Sequence, residues 1–198
     1  MHERGRDLDH EATLKHSQVL SNVQERLRSL VIINCWHYNS HESDAMWGLY
    51  LKDNEGVAIL SEPRRLNECF HLTKHSVRIG KVRYLDYQND IYYDRHDFPV
   101  TASNASTPFI HKRKHYEHEK EYRAIIELEP QSGWAYDWSK EEFEKGKMIP
   151  VDVEKLIEKV VVHPHAEEKF IEKVRETVKR YGFDFEVAIS EMNAIPLF

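Results

Sequence analysis

Only two cysteines, Cys35 and Cys69, occur in the 198-residue chain. They are too few for a disulfide scaffold and lack the CxxC spacing of a zinc ribbon or redox pair, so a reducing, cytoplasmic setting is expected. Long apolar runs are missing as well. No stretch reaches the roughly 18 apolar residues of a membrane span, and the first residues do not resemble a signal peptide, so no membrane partner is expected. Strong charge of one sign is also lacking, because the formal net charge is only -6. Basic residues are spread along the chain apart from Lys112, Arg113 and Lys114. A domain-wide nucleic-acid surface is therefore excluded, while local contact with a phosphate stays open. Internal repeats and low-complexity tracts are absent.

The 40% hydrophobic content can build one core. The expected organisation is a helical arm over residues 1–29 and one domain over 30–198. In the arm, Leu14, Val19, Leu20, Val23 and Leu27 recur at mostly helical spacings. β-Branched and alternating runs predict strands at Leu30 to Trp36, Gly56 to Leu60, Val77 to Asp86 with an irregularity at Gly80, Tyr122 to Leu128, and Val160 to His163, with a last strand at Val187. Helical patterns fall between them. A short helix is expected after Ser43, a second opens at Pro63, and a long one runs from Ala166 to Tyr181 and is closed by Gly182. Asn89 to Thr107 and Pro130 to Pro150 read as long irregular insertions. The fold class is α+β, a single domain with a mixed β-sheet flanked by helices.

Titratable side chains are densest between Phe109 and Leu128. Ala124, Ile126 and Leu128 alternate with Ile125 and Glu127, which places Glu121 and Arg123 at the entrance of a strand. There the backbone is held by pairing while a carboxylate head can turn into a cleft. The plain structural reading is that Glu117, Glu119, Lys120, Glu121 and Arg123 form a solvated charged flank. Similar pairs of readings apply elsewhere. Trp47 is core or a stacking ring, Glu42 and Ser43 are helix caps or ligand contacts, and His37 is a satisfied polar residue or a binding residue. Arg123 is an anion site or half of a buried bridge.

Cys35-Trp-His, Glu42-Ser, Met46-Trp-Gly-Leu-Tyr, Gly56-Val-Ala-Ile, Ile79-Gly-Lys-Val-Arg-Tyr-Leu-Asp-Tyr, Lys112-Arg and Tyr116-Glu-His-Glu-Lys-Glu-Tyr-Arg follow one another in this order. As a set they resemble the bacterial domain family of unknown function numbered 2971 (DUF2971), over roughly Ile32 to Ser190. Members of that family carry, ahead of the Cys-Trp element, a strand and an Asn-Asp-Pro-like turn that this chain does not show. The pair Glu119-x-Glu121 before an apolar strand also resembles the ADP-ribosyltransferase pattern. That resemblance implies NAD as a substrate, with no tightly bound cofactor, and a macromolecular acceptor, as in effectors of defence or toxin type. Glu121 would stabilise an oxocarbenium-like state and Glu119 would orient or deprotonate the acceptor. Tyr50 or Trp47 would stack on nicotinamide, and Arg123, Lys112 or Arg113 would pair with the pyrophosphate.

Two other classes stay open at this stage. His111, His115 and His118, at i, i+4 and i+7, would share a helix face and suggest metal-assisted hydrolysis, although no HExxH pattern is present and Lys112, Arg113 and Lys114 would repel a cation. A non-catalytic module binding a nucleotide or a protein is the remaining class. No residue is assigned to a metal, and the sequence leaves oligomeric state open.

Overall fold

The computed structural model describes residues 30–90, 107–128 and 146–193. The expected arm over 1–29 lies outside the described residues, as do most of the two insertions. What is described has helices and small sheets and is α+β. No helix among the described residues is long and apolar enough to cross a membrane.

The chain divides into two compact units. The first takes residues 1–35, 75–115 and 123–147, and the second residues 36–74, 116–122 and 148–198. Strands β1 (Val31–His37), β6 (Glu121–Glu127) and β3 (Val77–Lys81) form a sheet in the order β1-β6-β3. In the first unit Leu128 N–H donates to Leu30 C=O at 2.7 Å. Ala124, Ile125 and Ile126 are buried there, and Arg78 pairs with Glu127 at 2.5 Å.

The long strand expected from Val77 to Asp86 is two strands. β3 ends at Lys81, and β4 (Arg83–Leu85) leaves that sheet to pair in parallel with β5 (His111–Arg113). The break falls at Val82, not at Gly80. Val82 and Leu85 are both buried, three residues apart, so the inside phase shifts where period-2 alternation would have kept it. Alternation is a local signal that names no partner, and a three-residue strand such as β5 is too short to display it. The expected single mixed sheet is accordingly three small sheets: β1-β6-β3, β4-β5 and, in the second unit, β2-β7-β8.

In that last sheet β2 (Val57–Leu60) is antiparallel and β8 (Glu186–Ile189) parallel to the central β7 (Lys159–Val162). Val160, Val161 and Val162 are all buried, as a middle strand covered on both faces requires. The β7-to-β8 connection carries the long helix. Numbered in chain order, the helices are α1 (Asp44–Tyr50), α2 (Pro63–Glu68), α3 (Val153–Leu156) and α4 (Glu168–Arg180). Pro63 opens α2, Asp152 caps α3 by accepting from Lys155 N–H at 3.1 Å, and α4 buries Ile171. At the end of α4, Gly182 N–H donates to Lys179 C=O and Phe183 N–H to Val178 C=O. These two bonds form a Schellman turn, and its αL position is Gly182 at φ 80°.

Candidate functional site

The second unit brings three of the expected site residues to one corner. Tyr38 N–H donates to Lys120 C=O at 2.8 Å, while at the other end of the same strand pair Leu128 N–H meets Leu30 C=O. Paired numbers sum to the same value at both ends, so β1 and β6 are antiparallel and His37 stands opposite Glu121. The bond just outside that pair makes it a non-hydrogen-bonded pair, the kind in which facing side chains come closest. His37 and Glu121 therefore share one face of the sheet. Tyr38 and Tyr122 alternate to the other face, where their rings lie 5.5 Å apart.

The His37 ring is held by its backbone neighbour. Nδ1–H donates to Glu119 C=O at 2.7 Å, and in the neutral ring that bond selects the tautomer with the lone pair on Nε2. That Nε2 is buried and has no hydrogen-bond partner among the described residues. A buried ring nitrogen left open is uncommon and calls for an explanation, of which a ligand's polar group is one. Glu121 is 8% exposed and Glu119 is 9% exposed, while Glu117 and Lys120 are exposed. Part of the charged run is thus solvated and part is buried.

Lys120, between the two buried glutamates, adopts φ 42°. A non-glycine residue in the left-handed region costs about 1–2 kcal/mol, so the surrounding contacts must hold it there. They are the Tyr38 bond to its C=O, its own N–H on Glu117 C=O at 3.2 Å, and Nζ on Asn39 Oδ1 at 3.1 Å. The reversal ends the short 3-10 helix Lys114–Glu119 and starts β6. Sequence reasoning missed Lys120 and Asn39, because nothing in a Glu-Lys-Glu triplet signals a left-handed middle residue.

The other expected residues divide as follows. Trp47 is buried in α1, donates from Nε1 to Glu42 Oε2 at 3.2 Å, and meets the His163 ring edge-on at 5.3 Å. The second oxygen of Glu42 accepts from Glu191 N–H at 2.9 Å. Both oxygens thus hold protein donors. Ser43 occupies the N-cap position of α1 without a side-chain cap bond. Tyr50, at the end of α1, is 67% exposed. In the first unit Lys112 and Arg113 lie on β5, with the Arg113 guanidinium 5.5 Å from the Tyr87 ring. Arg123 is buried and donates to Phe109 C=O.

His111 is on strand β5 whereas His115 and His118 are on the 3-10 helix, so the continuous helix face on which the metal reading depended does not form. Among the described residues no group of three or more His, Cys, Asp or Glu side chains is placed to hold a metal ion. Near α2, the Cys69 thiol donates to Leu66 C=O, and burial, followed by the Asp152 charge, pushes its pKa up. A thiol held protonated in this way is a core group and not a nucleophile. No family model matches the chain, and no curated protein or solved structure matches it either.

Proposed function

We propose that the corner formed by His37, Glu119 and Glu121 is the reaction site of an NAD-using, ADP-ribosyltransferase-like enzyme. The observation that carries this reading is the open, buried Nε2 of His37, on the same sheet face as the buried carboxylate of Glu121. Breaking the bond between ribose C1′ and the nicotinamide nitrogen sends its electron pair to nicotinamide and leaves positive charge on the ribose. A carboxylate with little access to water stabilises that charge more than a solvated one does. Glu121 takes this role. His37 Nε2 accepts a hydrogen bond from a ribose hydroxyl, and Glu119 takes the proton of the acceptor as its new bond to C1′ forms. Of the two aromatic candidates, Tyr50 has the open ring needed to stack on nicotinamide, whereas Trp47 is committed to the core.

Incubating the purified chain with NAD, with and without a cell extract as acceptor source, and reading the products by mass spectrometry tests the reading. Free nicotinamide together with a mass-shifted acceptor is expected. Intact NAD in both incubations overturns it. If calorimetry then shows NAD bound without turnover, the corner is a nucleotide-binding site without chemistry.

A further inference from the structure

Among the described residues Lys120 alone, apart from glycine, has a positive φ. That torsion lies between β6, which starts at Glu121, and the peptide unit that carries Glu119 C=O. β6 is held by its pairing with β1, and Tyr38 N–H fixes Lys120 C=O on the β6 side of the torsion. With β6 held, φ of Lys120 sets where Glu119 C=O points. An antiparallel strand residue ordinarily has φ near -140°, about 180° from the 42° found here. Half a turn about the N–Cα bond swings the Glu119 carbonyl to the other side of that bond and out of reach of His37 Nδ1.

Without that carbonyl nothing in the sheet prefers one neutral form of the ring over the other. Nδ1 loses the acceptor that keeps its proton. In the other tautomer Nε2 carries the proton and changes from acceptor to donor, on the face that His37 shares with Glu121. A ribose hydroxyl offering its proton then meets a second proton, and Glu121 gains a donor that competes with the substrate.

We propose, resting on the reading of this corner as an NAD site, that Lys120 is a positioning residue. Its left-handed backbone aims Glu119 C=O at His37 and so makes Nε2 an acceptor, which selects a hydroxyl donor as the group bound there. The Lys120 side chain serves as a latch. Nζ reaches Asn39 Oδ1 at 3.1 Å, and Asn39 Nδ2 donates to His41 C=O at 3.0 Å, which orients the amide. Both residues are exposed, where such a bond contributes little, so the torsion carries the effect. Position 120 therefore requires a residue that accepts positive φ and does not require a cation.

Two substitutions separate these demands. Lys120→Gly removes the latch and takes the left-handed conformation freely, whereas Lys120→Val puts a β-branched side chain where that conformation is least tolerated. Two-bond proton–nitrogen NMR correlation of the isotope-labelled full chain reads the tautomer, under alkaline conditions where imidazoles are neutral; His37 is assigned by its loss in His37→Gln. The parent and Lys120→Gly should show the proton on Nδ1, and Lys120→Val should shift toward Nε2. By calorimetry, the NAD dissociation constant of Lys120→Val should exceed that of Lys120→Gly about tenfold. Should Lys120→Val not fold, Lys120→Ala, which keeps a Cβ and drops the latch, should fall between parent and Lys120→Val in tautomer. A residue with only a structural role would lower the thermal midpoint on substitution and leave the His37 signals in place. The same tautomer in Lys120→Gly and in folded Lys120→Val or Lys120→Ala overturns the proposal, as does its loss in Lys120→Gly. A parent that shows the expected tautomers and neither binds nor consumes NAD overturns the transferase reading alone.

Discussion

Replacing Glu121 by Gln separates chemistry from scaffolding in one variant. The amide keeps the shape and some hydrogen bonding of the carboxylate and removes its charge. A unit charge about 4 Å from a cationic centre, at an effective dielectric constant of about 20, is worth about 4 kcal/mol. The burial of Glu121 makes that regime the applicable one. The amide dipole recovers part of the interaction, so a loss of about 2.7 kcal/mol or more remains, which is a fall of about a hundredfold or more in turnover. If Glu121 is instead half of a structural ion pair, removing one partner costs about 3–5 kcal/mol of stability. For a chain of this size that shifts the thermal midpoint down by roughly 6 to 20 °C. Both quantities are measured on one preparation, by NAD consumption and by a thermal melt of wild type and variant. A hundredfold loss of turnover with a midpoint within a few degrees of the parent is expected. A large fall in midpoint, with no NAD turnover in either protein, refutes the catalytic assignment.

Three further outcomes follow from the packing. Ile171→Val in α4 removes one buried methylene and should lower stability by about 0.5–1.5 kcal/mol, read by urea titration. Gly182→Ala introduces a Cβ with nothing within 4 Å, so only the φ of 80° opposes it; the expected loss is about 1 kcal/mol by the same titration. The backbone N–H of Lys155, first, and the nearby Lys155 and His71 charges hold the Asp152 carboxyl below its ordinary range. A group depressed on folding contributes stability above its unfolded pKa and loses it as pH falls through the folded value. Asp152→Ala should therefore melt below the parent at pH 7, and the gap should narrow as the pH is taken below about 4. Asp152→Asn keeps a capping oxygen and should retain more of the parent's midpoint at pH 7 than Asp152→Ala does.

Most elements could be read from the chain because their determinants are local. The valine run of β7, the Pro63 start of α2 and the Gly182 stop of α4 each rest on residues within one turn of the boundary, and the strands and helices fall within a few residues of the expected positions. Pairing was not readable, since alternation fixes which side chains share a face but not which strand lies alongside. The division of Val77 to Asp86 between two sheets is the consequence. Glu119, Glu121 and His37 could each be singled out by type and place in the sequence. Their meeting depends on the antiparallel register of β1 with β6 across more than 80 intervening residues and on the left-handed turn at Lys120. Tertiary structure alone decided that three charged residues of a polar run, Glu119, Glu121 and Arg123, are buried and that Trp47 turns inward while Tyr50 stays open, because burial depends on what packs against a segment.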